Sequence, residues 1–584
     1  MQRSYAANFA SKWPFVLGYF GLATVVMTWP AITSIRTAVV GGLGDNLHFA
    51  WLIAWFDQAI FSLQQTPFFA PHLNFPEGWH LARSEITPAQ VIQGLPFVRL
   101  GGPILAYNLV ALLSFVFSGL SAYFCTLKLS GQRIAALIAG TLFAFLPFRI
   151  AHWRVGQLNM LGTAWFPIYF VALAYLLSER ASARRTSVVG GLALGLVSLT
   201  SQYYFYITLV ASALASAIYL LGFRRERLIS RSLWGPLARM AVVAAPLMAI
   251  GLYPYVDLAL RDSYPDRSLY DVSSGSASVT DFLLPSTDHF LWGTWVGAKF
   301  SRDHWPEATL YVGVIAPVLA FVAVFRAWRA GRGVRVLAAL AGVSILLTLG
   351  VHLYWDEHLV LVKLPQPIAS ILQRDETRVP MLGYFLFKFV PFYAKMRTFK
   401  RAGALALTAL VLLAGIGAAD LLNRLKARWR TPVGVLLLAI VWLDFYPGPF
   451  TEFSKVEPRL VDQWLAEQPG DGAVAEFPFW LEEEQFHVYT TLLHGKPFLG
   501  GFFSAFPPPQ YQRIRPVLED FPNEASVRLL GELGVRYVLV ETGLYQNFTI
   551  VDHLIRDLGM EYQATLDGVV VYEIPKISEL GMGE

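Results

Sequence analysis

Asp45 stands where a carboxylate could do acid–base chemistry. It follows the flexible run Gly41-Gly42-Leu43-Gly44 and opens a segment, 46–64, that carries Phe49, Trp51, Trp55, Phe56 and Phe61 and reads as an amphipathic helix lying on the outer membrane surface. A carboxylate there could take the proton of an incoming hydroxyl. Asp is also a common helix cap, and the residues alone leave both readings open. His48 lies in the same run, and Trp79, Glu77 and Glu85 follow within the same connection. Trp79 could stack on a sugar or belong to an interfacial aromatic belt. Glu77 and Glu85 could supply a second carboxylate or a metal ligand, or simply be solvated.

Two basic clusters suit an anionic partner. The first holds Arg149, His152, Trp153, Arg154, Gln157 and Asn159; the second holds Lys395, Arg397, Lys400 and Arg401. A guanidinium binds phosphate in a bidentate fork, whereas a cation at a helix end can also just snorkel to water. A third group, Asp281, Asp288, His289, Asp303, His304 and Glu307, gives only a weak Asp288-His289 metal signal. The sequence has no Walker A loop, dinucleotide fingerprint, zincin motif or nucleophile elbow. That argues against nucleotide hydrolysis, Rossmann cofactors, zincin chemistry and serine-hydrolase chemistry.

The elements that must position these groups are mostly membrane helices. Of 584 residues 15% are charged, and the mean hydropathy is +0.47, against about 25% charge in soluble domains. Apolar runs of spanning length recur about eleven times, beginning near Pro14, Pro103, Ile134, Leu161, Val188, Tyr204, Ala238, Thr309, Val334, Ala402 and Thr431. The net charge of +5 resides in short basic connections: Arg3 and Lys12, 128–133, 180–185, 224–239, 326–335 and 424–430. It is therefore a topology signal and not a nucleic-acid signal. The positive-inside rule puts those connections in the cytoplasm and connections 35–102, 149–160, 261–308 and 352–401 outside, with the N-terminus inside and everything after Pro447 outside. The stretch 381–393, about thirteen residues interrupted by Lys388, is short for a span and fits a re-entrant or interfacial helix better. The lone cysteine, Cys125, forbids an intrachain disulfide.

From about Glu457 charge returns. Strand-like runs at 473–477, 537–540 and 569–572 alternate with amphipathic helical spacing at 527–533 and 550–558. The expected fold is thus a polytopic α-helical membrane part, 1–455, followed by a soluble extracytoplasmic α/β domain, 456–584.

Several runs together resemble bacterial integral-membrane glycosyltransferases of the GT-C superfamily. They are Gly44-Asp45, Phe75-Pro76-Glu77-Gly78, Ala106-Tyr107-Asn108-Leu109, Phe145-Leu146-Pro147-Phe148-Arg149 and Asp281-Phe282-Leu283-Leu284-Pro285. Glu476-Phe477-Pro478, His494-Gly495-Lys496-Pro497 and Leu533-Gly534-Val535-Arg536-Tyr537 are similar to the extracytoplasmic tails of poorly characterised members and of YfhO-like proteins. The resemblance implies transfer of a sugar from a polyprenyl-phosphate donor to an outer-face glycan, lipid or protein acceptor in a bacterial inner membrane. Asp45 would be the general base. Arg149, Arg154, Arg397 and Arg401 would hold the donor phosphate. His48, Trp79, Glu77, Glu85, His152, Gln157, His494 and Lys496 would contact substrate. Asp45 is followed by Asn46 and Leu47 and not by an Asp-x-Asp partner, so dependence on Mg or Mn is open. The rival readings are a noncatalytic envelope-polysaccharide assembly factor and a lipid or glycan flippase or transporter.

Overall fold

The computed structural model describes residues 13–178, 183–262, 265–287, 289–301, 305–328, 333–479, 484–503 and 507–575. Arg3, Lys12, Asp288, Asp303 and His304 lie outside them. A helix stands at each of the expected apolar segments. Pro88–Ser130, Arg133–Arg154, Gln202–Phe223, Arg231–Arg261 and Lys400–Arg424 are long and apolar enough to cross a membrane; Trp13–Met27, Trp165–Ser178, Ile315–Arg326 and Val334–Thr348 are shorter apolar helices. The longest is interrupted where Gly102 takes φ 83° and ψ 177°, a conformation open to glycine and costly to other residues. That break separates the span from a preceding helical arm. Small residues let helices approach closely, as membrane helices do without a hydrophobic drive between them. A Cβ on Gly417 would lie 1.8 Å from the Leu319 carbonyl oxygen of the Ile315–Ala327 helix.

The connection 35–102 is built into the core. Ala38–Val40 pairs antiparallel with Phe453–Lys455, in the register Ala38 to Lys455 and Val40 to Phe453, so the chain beyond the last apolar helix returns to the first connection. The segment after Gly44 was expected to lie on a membrane surface as an amphipathic helix. It is instead the helix Asp45–Asp57, with Asn46 through Ile53, Trp55 and Phe56 all buried. Only the turn beyond it exposes Ile60, Phe61 and Leu63. Trp51 stacks between Trp55 and Trp79, with ring centroids 5.9 and 5.6 Å away. The stretch 381–393 contains only the eight-residue helix Leu382–Phe389, which at 1.5 Å per residue covers about 12 Å and cannot cross.

Past residue 456 the chain forms a four-stranded sheet in the order Glu561–Leu566, Val569–Glu573, Val535–Glu541, Ala473–Phe477. The first two pairings are antiparallel and the last is parallel, with Val538 opposite Ala475. The central Val535–Glu541 strand buries residues on both faces, the pattern of a sheet covered on two sides. One continuous hydrophobic core includes residues of this sheet, the Asp45–Asp57 helix and the apolar helices.

Candidate active site

Five segments meet around Asp45. It is the first residue of its helix, and the capping work falls to its neighbour: Asn46 Oδ1 accepts from the Gly44 and Leu47 amides at 3.0 and 2.9 Å, while Asn46 Nδ2 donates to the Gly42 carbonyl at 2.8 Å. The Asp45 carboxylate is therefore available for other partners. Gln157 and Gln485 hydrogen-bond it, and Arg401 acts on it electrostatically. Burial is the strongest influence and lifts its pKa above the ordinary carboxylate value. Gln157 reaches it because the chain turns sharply after the Pro147–Arg154 helix. Gly156 takes φ 80°, and a Cβ there would lie 2.3 Å from the Asn46 amide nitrogen.

Arg401 organises the remaining groups. It lies in the turn Lys400–Ala402 ahead of the Gly403–Arg424 helix. Its Nε donates to Glu307 Oε1 at 3.0 Å, and its guanidinium carbon sits 5.0 Å from the Tyr203 ring centroid. Burial would raise the Glu307 pKa, but Arg401, His152 and Lys400 outweigh it and hold the carboxyl below the usual range. Glu85 goes the other way: burial raises it, only partly opposed by Arg401 and by hydrogen bonds from Ser201 and Asn159. His152 Nδ1 lies 2.6 Å from Gln157 Oε1, and its Nε2 faces Glu307 Oε2 at 3.9 Å.

Glu85 Oε2, Asn159 Oδ1, Glu307 Oε2, His152 Nε2 and the Tyr107 hydroxyl are buried without a hydrogen-bond partner. Buried polar groups are paired in the great majority of cases. A cluster of unpaired ones, dominated by acceptor atoms, is a set that a ligand rich in hydroxyl donors would complete.

Among the described residues, the Asp45, Glu85, His152 and Glu307 side chains do not bring three ligand atoms within 4.8 Å of one another. Mg and Ca need several oxygens on one point at about 2.0–2.6 Å, and Arg401 already brings a fixed positive charge between Glu307 and Glu85. Among the described residues, the acidic and imidazole groups that bring three ligand atoms within 4.8 Å of one another are Glu476, His487 and Glu541, in the sheet region. There Arg459 holds Glu476 through two bonds of 2.8 and 2.9 Å. Burial raises the Glu476 pKa, but Arg459 and His487 dominate and bring it down to about 2. This is an ion-pair network with its cation already in place.

Of the residues singled out by sequence, Asp45, Glu85, His152, Gln157, Asn159, Glu307 and Arg401 come together. The others go elsewhere. Arg149 is 0% exposed and bonds internally to Ala144, Leu161, Thr163 and Ser114. Arg154 points to Glu452 at 3.2 Å, and Arg397 is exposed. Trp79 is wholly buried against Trp51, His48 and Phe503, leaving no open face for a sugar. His48 packs behind the site, its Nε2 3.4 Å from the Glu85 carbonyl oxygen; burial lowers its pKa to about 4. Glu77 pairs with Arg513 at 2.8 Å. Lys496 donates to the Gln468 and Gly470 carbonyls, and the Lys496 amide donates to His494 Nδ1. Asp281 caps its own short helix, and His289 lies 2.7 Å from the Asp444 carbonyl oxygen.

Sequence reasoning named Glu307 only within the weak acidic and histidine group, and did not pick out Gln485, Tyr203 or Ser201. Glu307 carried one usable signal: like Arg401, it lies immediately before an apolar segment. Gln485 carried none, since only the fold brings residues 440 positions apart together.

No family model matches the sequence, and no curated relative matches it. Solved structures do. The arabinofuranosyltransferase AftD from Mycobacteria superposes with a TM-score of 0.57 at 14% identity over 96% of this chain. A mutant of AftD gives 0.54 at 15% identity, again over 96% of this chain and 41% of the mutant's. ArnT from Cupriavidus metallidurans in the apo state gives 0.51 at 13% identity, over 98% of this chain and 100% of ArnT. The chain spans 40% of the length of AftD. At these identities the likeness is one of fold.

Proposed function

From the premise of a GT-C fold, shared with AftD and ArnT, we propose that this chain is a membrane glycosyltransferase that moves a sugar from a polyprenyl-phosphate donor to an extracytoplasmic acceptor. The observation that carries the reading is the buried set of unpaired acceptor atoms beside Asp45 and Arg401. A sugar supplies hydroxyl donors to such a set, and a lipid-linked donor needs no nucleotide-binding fold.

In the proposed step the oxygen of an acceptor hydroxyl forms a bond to the anomeric carbon. The bond from that carbon to the phosphate oxygen breaks, and its electron pair leaves with the phosphate. The acceptor proton passes to Asp45, whose raised pKa makes it a better base than an exposed carboxylate. Gln157 and Gln485 fix its orientation. Arg401 offsets the charge that grows on the leaving phosphate, a role best filled by a preorganised cation. No step is routed through a divalent metal; Arg401 supplies the positive charge.

We read about eleven crossings, with the N-terminus in the cytoplasm and the sheet region of 456–584 as an extracytoplasmic domain of a bacterial inner-membrane protein. The basic short connections and the gathering of the site from 35–102, 149–160 and 261–308 support that sidedness. The acceptor class is a glycan, lipid or protein.

The test is transfer of radiolabelled sugar from purified polyprenyl-phosphate donors to host lipid and glycan extract. The Asp45→Asn variant is expected to lose about 10²–10⁴-fold in rate, the usual worth of a positioned base, while keeping the same unfolding midpoint. Asp45 acts only when ionised, so wild-type transfer should fall as pH drops through its raised pKa and hold steady above it. Equal transfer by folded Asp45→Asn removes the base assignment, and absence of transfer from every donor favours a noncatalytic assembly factor.

A further inference from the structure

His152 and Glu307 are each anchored at one atom and open at another. His152 Nδ1 lies 2.6 Å from Gln157 Oε1; a carbonyl oxygen only accepts, so Nδ1 carries a proton, and in the neutral imidazole Nε2 then presents a lone pair. Glu307 Oε1 accepts from Arg401 at 3.0 Å, and the Arg401 charge keeps the carboxyl ionised, so Oε2 is also an acceptor. The two open acceptors face each other across 3.9 Å, both buried and both without a hydrogen-bond partner. That gap is too long for a direct bond, and two acceptors cannot satisfy each other. A single hydroxyl has one proton and satisfies only one of them. Two neighbouring hydroxyls satisfy both, since each can donate at about 2.8 Å.

Resting on the glycosyltransferase reading, we infer that His152 and Glu307 form a reading pair for a vicinal diol on the ring of the transferred sugar. The pair is tied at one end through Gln157 to Asp45 and at the other to Arg401. It therefore bridges the proposed base and the proposed phosphate site, where the ring of a phosphate-linked sugar has to lie. The gain is in specificity: a buried site built to bond a hydroxyl rejects a substrate that lacks it, because its own polar atoms are then left unpaired.

The experiment is a binding titration by native mass spectrometry on the full-length protein in detergent. The probes are short-chain polyprenyl phosphates bearing a pentose or a hexose, together with analogues in which one ring hydroxyl at a time is removed. For the sugar that binds wild type, removal of either of two adjacent hydroxyls should weaken binding at least tenfold, and removal of the others much less. In Glu307→Gln the parent sugar should bind about tenfold more weakly, and sensitivity to one of those hydroxyls should vanish, as a coupled pair requires. His152→Phe should abolish sensitivity to the other. Glu307→Asp, which keeps the charge and shortens the reach, should retain part of the discrimination. Equal tolerance of every analogue by wild type overturns the pair, whatever the variants do; a discrimination unchanged in folded Glu307→Gln and His152→Phe does the same. If no polyprenyl-phosphate sugar binds while the protein is folded, the glycosyltransferase reading fails, and this inference with it.

Discussion

Single charged residues carried most of the functional signal in the sequence, and Arg149 marks its limit. A cation near a helix end was expected to grip a phosphate, yet its Nε donates to the Ala144 carbonyl at 3.0 Å, Nη1 to the Leu161 carbonyl at 2.7 Å and Nη2 to Ser114 Oγ at 3.1 Å. Its guanidinium also lies 4.9 Å from the Phe115 ring centroid. It pins three helical segments through a planar fork that lysine cannot reproduce. Arg149→Lys should therefore destabilise the protein by about 2–4 kcal/mol, the range for breaking a buried charged network. Arg513→Lys, at the exposed pair with Glu77, should stay within about 0.5 kcal/mol. Thermal unfolding in detergent reads both, and equal midpoints for the two variants would return Arg149 to the list of ligand-binding candidates. Asp45 was legible as a carboxylate after a glycine run, and Arg401 as one of a basic cluster just ahead of an apolar segment. Arg149 and His152 looked alike in sequence. Which one meets the groups around Asp45 depends on the rotation of one short helix, and composition does not encode that.

At the scale of elements, apolar periodicity located every long helix, since a run of spanning length has few alternatives to helix in lipid. It misjudged the helix opening at Asp45. Its aromatic residues suggested one apolar face at a membrane surface, but the helix is covered on one side by Pro88–Ser130 and on another by Glu484–His494, and a cover 440 positions away leaves no trace in a local pattern. The start of this helix is fixed from outside by the turn at Gly156. Alanine there would force φ 80° on a residue that resists it and bring a Cβ to 2.3 Å from the Asn46 amide nitrogen. Gly156→Ala should lower the unfolding midpoint and cut transfer at least tenfold, because Asn46 and then Asp45 must shift, and about 1 Å of misplacement can cost 10²-fold. Gly42→Ala is the control, with nothing within 4 Å of its added methyl. Transfer by Gly156→Ala as fast as by Gly42→Ala would mean that the turn does not set the position of the base.

The whole molecule couples its C-terminal region to the site more tightly than two serial domains would. The Asn74 amide donates to the Gly500 carbonyl at 2.8 Å, the Phe75 amide to Phe498 at 3.1 Å and the Phe498 amide to His72 at 2.8 Å. Gln510 completes the seam: its Nε2 donates to the Asn74 and Phe75 carbonyls at 3.2 and 2.7 Å, and its Oε1 accepts from the Glu77 amide at 3.3 Å. The first connection and the C-terminal region thus share backbone hydrogen bonds, and Gln485 extends that seam to the Asp45 carboxylate. Gln510→Leu keeps much of the volume but leaves the Phe75 carbonyl and the Glu77 amide without their partner, while the Asn74 carbonyl keeps its bond from the Gly78 amide; the loss is about 1–3 kcal/mol. Arg513→Ala removes only the exposed pair with Glu77, whose side chains are 65% and 48% accessible, and should cost within about 1 kcal/mol. Hydrogen exchange distinguishes a seam from a loose lid. In Gln510→Leu protection should fall together in 72–80 and 498–503, and transfer should fall with it, because the support of Asp45 by Gln485 loosens at the same time. Protection lost only in the C-terminal region, with transfer unchanged, would make that region an appended cover and leave the site to the helical part alone.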